Sequence, residues 1–160
     1  MDLQTKRLMA AAAGAGSDPL YLNDYFNLFA YEGNATNRSI VTNIDMTDGK
    51  SMVWIKNRES NARHNVQDTV RGAGKLTKIG VGQAKAQNSG DHADHWAGFV
   101  SAFNNNGFSL EKDGTGTTDW LHVNKDNDDY MAWTFKACKG FFDIVTFSTD
   151  GTITDNNRRI

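Results

Sequence analysis

From Tyr25 onward, apolar and aromatic residues recur in runs of about four to eight positions, separated by stretches rich in Gly, Asn and Asp. A period of two with β-branched and aromatic residues predicts strands rather than helices. The predicted strands are Tyr25 to Tyr31, Ser39 to Ile44, Ser51 to Asn57, Asn65 to Val70, Trp96 to Phe103, Gly107 to Glu111, Tyr130 to Lys136 and Phe142 to Phe147. In Tyr130-Met131-Ala132-Trp133-Thr134-Phe135 the large side chains at 131, 133 and 135 share one face and Tyr130, Ala132 and Thr134 the other. Such alternation suits an antiparallel strand with two distinct faces, and it makes core packing the expectation for Trp54 and Trp133. Residues 72–94 break the pattern: Gly, Lys, Gln, Ala, Asn and Ser dominate, with only Leu76, Ile79 and Val81 between them, and the stretch reads as a long excursion with little core. Many short strands joined by turns predict an all-β fold, an antiparallel β-sandwich.

The first residues follow a different pattern. MDLQTKRLMAAAAGAG combines strong helix formers with a stop at Gly14, which predicts a short helical arm; a helix of that length orders only against a partner. The basic pair, the Ala run and Ala13-Gly14-Ala15 imitate a secretory signal, but Asp2 precedes the basic residues and Leu8-Met9-Ala10-Ala11-Ala12-Ala13 is short and weakly apolar. The chain also resembles itself. Tyr25-Phe26-Asn27-Leu28-Phe29 aligns with Phe141-Phe142-Asp143-Ile144-Val145, Tyr31 aligns with Phe147, and both runs enter a Gly-containing turn before Arg-Ser-Ile (38–40) or Arg-Arg-Ile (158–160). Three parts are therefore expected: an arm and linker at 1–24, a β-sandwich module at 25–140, and at 141–160 a last strand that also starts a second, truncated module.

Composition narrows the function. One ordinary core fits 160 residues of which 39% are hydrophobic, and 17 basic against 19 acidic residues leave no basic face for nucleic acid. Fifteen glycines beside a single proline fit the many turns. The lone Cys138 excludes an intramolecular disulfide and fits folding in a reducing cytosol, and no apolar run reaches the ~20 residues that span a bilayer. Neither nucleic acid nor membrane insertion is expected.

Candidate chemistry is sparse. Asp91, His92, Asp94 and His95 of DHADHW carry metal-binding atoms, and His64 or His122 could complete a site from a distance, but the cluster reads as a solvated loop and no metal is expected. Glu32, Glu59 and Glu111 are the only glutamates and none sits in a recognisable catalytic setting, so no enzyme and no cofactor is expected. RGAGK (71–75) lacks the spacing of a phosphate loop and reads as a turn, as does Asp126-Asn127-Asp128-Asp129, which lacks the Gly and distal Glu of a calcium loop. Trp120, beside Gly114-Thr115-Gly116-Thr117-Thr118, is the tryptophan best placed for exposure to a ligand such as a sugar, although it reads first as a hydrophobic plug under that loop.

Several segments together resemble a known family: MDLQTKR with its Ala/Gly-rich linker, VWIKNR (53–58), DTVRGAGK (68–75), FNNNGFSL (103–110) and DDYMAWTFKACKGFFDIVTF (128–147). They resemble the N-terminal region of tail fibre proteins of marine bacteriophages, whose repeated modules are similar to concanavalin A-like lectin/glucanase sandwiches. The longer polar stretch at 75–95 departs from that pattern. The resemblance implies a jelly-roll or concanavalin A-like sandwich and a structural virion protein, made in the host bacterial cytoplasm and placed in the tail. It further implies attachment to phage tail or adaptor proteins, association as a homotrimer, and contact with a host surface receptor through distal regions. On that reading Leu3, Leu8 and Met9 bury apolar surface in a tail groove while Lys6 and Arg7 make polar contacts. The alternative is a capsid decoration or carbohydrate-binding sandwich protein complete at 160 residues.

Overall fold

A computed structural model describes residues 21–62, 64–79, 99–111 and 123–146. Its strands are β1 (Phe26–Glu32), β2 (Arg38–Val41), β3 (Ser51–Asn57), β4 (His64–Asp68), β5 (Leu76–Ile79), β6 (Phe99–Asn104), β7 (Gly107–Glu111) and β8 (Asp129–Lys136). They form two antiparallel sheets, ordered β1-β8-β3-β4-β5 and β2-β7-β6. A 3-10 turn at Leu22–Asp24 leads into β1. The protein is an all-β antiparallel sandwich.

The core lies where the sheets face each other. Tyr31, Val53, Ile55, Tyr130 and Ala132 from the five-stranded sheet meet Ile40, Val100, Phe108 and Leu110 from the smaller one, with Ile44, Met46 and Val123 filling in from the connections. Burial alternates along β3 and β8, as the period of two requires. At one end the core is closed by hydrogen bonds. Tyr31 Oη donates to the Val123 carbonyl at 2.6 Å, the Lys125 amide donates to Tyr130 Oη at 3.0 Å, and the two rings stack with centroids 5.2 Å apart.

The structure redraws several predicted elements. Ser39 to Ile44 narrows to Arg38–Val41, because the Thr42 and Asn43 amides both bond to the Asn106 carbonyl and Asn43 takes a positive φ of 60°. Asn65 to Val70 becomes His64–Asp68; the Asp68 carboxylate accepts from the Val70 and Arg71 amides and turns the chain. Inside the predicted polar excursion stands β5, which pairs with β4 from His64↔Ile79 to Gln67↔Leu76. The last predicted strand, Phe142 to Phe147, is not a strand over its described part: a single bridge joins Cys138 and Phe142, and residues 143–146 carry no ladder.

Candidate functional site

Antiparallel register fixes what the far side of the five-stranded sheet presents. The pairings Phe26↔Phe135↔Met52, Leu28↔Trp133↔Trp54↔Val66 and Ala30↔Met131↔Lys56 run across β1, β8, β3 and β4 as parallel rows on that face. Side chains directly opposite each other lie close enough to interact, so each row is a continuous band. Trp54 and Trp133 therefore sit on the outer face and not in the inter-sheet core as their strand pattern suggested. The core positions of β8 are Tyr130, Ala132 and Thr134, which are fully buried, whereas Met131, Trp133 and Phe135 are only half-buried.

Aromatic contacts knit this face together. Trp54 and Trp133 lie 5.3 Å apart at 43°, and Trp54 Nε1 donates to His64 Nδ1 at 2.9 Å, which orients the indole. A second cluster follows along β8: Phe135 packs on Phe26 at 4.9 Å and on Phe142 at 5.2 Å, and Phe141 reaches both Phe26 and Phe135 at 6.4 Å. Lys50 holds the outgoing chain beside this cluster, bonding Asp143 Oδ1 at 2.9 Å and the Ile144 carbonyl at 2.8 Å; the same bond keeps the Asp143 carboxyl below the usual carboxylate range. Leu28 stays 47% exposed, Phe141 48% and Val145 74%, so the apolar surface extends from β1 to the outgoing segment. Solvated antiparallel sheets alternate apolar-in with polar-out, and this one does not. An apolar outer face of this kind is the candidate interaction surface.

The sequence candidates fare differently. Leu3, Lys6, Arg7, Leu8, Met9, Asp91, His92, Asp94, His95 and Trp120 all lie outside the described residues. Among the described residues no group of three or more His, Cys, Asp or Glu side chains could hold a metal ion, and His64 Nδ1 is engaged by Trp54. The RGAGK turn points its amides inward: Arg71 donates to Asp68 Oδ1, Gly72 to the Asp68 carbonyl, and Gly74 to Gln67 Oε1 and the Val100 carbonyl. Those donors serve the fold, as expected of a turn. In the acidic turn Asp128 Oδ2 accepts from Asn57 Nδ2 at 2.7 Å and Oδ1 from Lys125 Nζ at 2.9 Å, so its carboxylate locks β3 to the start of β8. Sequence reasoning passed over the outer-face residues Phe26, Leu28, Met52 and Met131. Their signal was the apolar residues that β1, β3 and β8 carry at both odd and even positions.

Residues 22–157 match the family described as a domain of unknown function, DUF7483. No curated protein and no solved structure matches the chain significantly. The matched span contains every described strand and the outer aromatic face, and the chain belongs to the DUF7483 family.

Proposed function

We propose that the chain is the tail-attachment part of a phage tail fibre: a non-enzymatic, concanavalin A-like virion module that links the tail to a distal receptor-binding region. One observation supports an assembly role most strongly. Strands β1, β3 and β8 of the five-stranded sheet carry apolar residues on both faces, with Phe26, Leu28, Trp133, Trp54, Met131 and Phe135 where a solvated sheet carries polar side chains. Burying that face against a neighbouring protein contributes about 25 cal/mol per Å² of apolar surface, which makes it a docking surface. The assignment to a tail fibre rests on the resemblance of the segments from MDLQTKR to FFDIVTF.

In this function the arm attaches and the sandwich transmits. Leu3, Leu8 and Met9 bury against a tail protein, Lys6 and Arg7 make its polar contacts, and the outer face packs on the next protein of the fibre. The experiment is deletion of residues 2–16, with fibre protein per purified particle measured beside the melting temperature of the isolated chain. Loss from particles at unchanged melting temperature is the expected outcome. Unchanged incorporation would show that the arm is dispensable. A carbohydrate-binding role finds less support on this face, because rings inclined at 43° do not form the flat platform on which a sugar stacks.

A further inference from the structure

The open side of β1 has the properties of a strand built to be paired. The Lys136 amide donates to the Tyr25 carbonyl, and the Gly33 amide to the Asp128 carbonyl. Hydrogen bonding alternates along an antiparallel ladder, so odd-numbered residues of β1 face β8 and Phe26, Leu28, Ala30 and Glu32 turn their N–H and C=O groups away from it. The Glu32 carbonyl is taken by Arg38 Nη1 at 2.8 Å. Among the described residues the outward backbone groups of Phe26, Leu28 and Ala30 have no partner, and β1 ends its sheet.

Proteins normally protect such an edge with lysine, proline, a bulge or a very short strand. β1 has none of these: it is seven residues long, pairs with β8 without a shift, and carries its single charge, Glu32, at the end that Arg38 already closes. The sequence of the edge is also self-complementary. If a second β1 lies antiparallel with Leu28 opposite Leu28, the paired positions are Phe26 with Ala30 and Ala30 with Phe26. A large side chain then faces a small one on both sides of the axis, no charges are opposed within the paired stretch, and each of the three pairs exchanges two backbone bonds. The same register aligns the Leu28–Trp133–Trp54 row of one copy with that of the other.

We propose that a second copy of this chain pairs with β1 across a two-fold axis at Leu28, joining two five-stranded sheets into one continuous sheet with one aromatic outer face. This goes beyond the assembly role proposed above, since it uses the edge of β1 and leaves the outer face open, and it pairs two chains where the resemblance implies three. The test is site-specific cross-linking of the full 160-residue chain, with Cys138→Ser removing the native thiol. Hydrogen-bonded antiparallel pairs place Cα atoms about 5.5 Å apart, within disulfide range, so Leu28→Cys should link two copies under mild oxidation while Glu32→Cys should not. Sedimentation velocity should give twice the 17.7 kDa chain mass, and Ala30→Lys should halve it without changing the circular dichroism spectrum. A monomer at every concentration, or a three-chain species with no link at position 28, would overturn the edge pairing. Neither outcome bears on incorporation into particles, which tests the fibre reading separately.

Discussion

At the scale of single residues, close backbone approaches and buried hydroxyls set the tightest constraints. A Cβ on Gly33 would stand 2.0 Å from the Lys125 carbonyl oxygen, so no side chain fits there without moving the loop that also anchors Tyr130. Gly33→Ala should cost about 1–3 kcal/mol, read as a fall in melting temperature of about 2–4 °C per kcal/mol. Tyr31 and Tyr130 give a pH signature. Burial pushes both phenols up, helped at Tyr31 by its stacked neighbour, so the folded protein keeps protons that the unfolded chain releases. Stability is therefore fully present below about pH 10, where unfolded tyrosines begin to ionise, and is lost as pH rises further. The urea midpoint should drop between pH 8 and pH 11. In Tyr31→Phe that drop should shrink, while the loss of the bond to Val123 lowers stability at pH 8 by about 1–2 kcal/mol. Residue patterns in the sequence identified which side chains share a face but not which face is the core. The strand pattern makes core packing the expectation for Trp54 and Trp133, yet Tyr130 and Ala132 are the β8 residues that join the core with the smaller sheet.

At the scale of elements, the strands with strong alternation were legible: Ser51–Asn57 and Gly107–Glu111 lie where the pattern put them, β1 is shifted by one residue at both ends, and β8 begins one residue early. Two misses share a cause, since pairing depends on which edges are available. β5 forms from a short, half-polar sequence because the edge of β4 is open and a ladder is made by the backbone. Phe142 to Phe147 has a strand's sequence, but both sides of β8, the strand it follows, are already taken by β1 and β3, so its described residues do not fold back onto β8 as a hairpin. It is tethered instead by Lys50 and by the packing of Phe141 and Phe142 on Phe135. An exposed ion pair contributes less than about 1 kcal/mol, so Lys50→Ala should hardly move the melting temperature. It should, however, accelerate limited proteolysis between residues 143 and 146; an unchanged cleavage rate would mean that the phenylalanines alone hold the segment.

At the scale of the whole molecule, the sandwich has its core between two sheets and a second apolar surface behind the larger one. That second surface was hidden in the sequence because an apolar residue facing a core and one facing a partner are chemically alike. Only the register of β1, β8 and β3 separates them. On the proposed function this outer face is a docking surface in a fibre. Trp133→Ser combined with Phe135→Thr removes the middle of the face and leaves every residue of the inter-sheet core in place. The decisive comparison is the amount of this protein per purified particle for that double variant against the unaltered chain, with the melting temperature of each isolated protein as the control for folding. Incorporation should fall at least about tenfold, as a loss of about 1.4 kcal/mol or more of docking energy requires, while the variant still melts cooperatively above the assembly temperature. Equal incorporation of a folded variant would contradict the docking role.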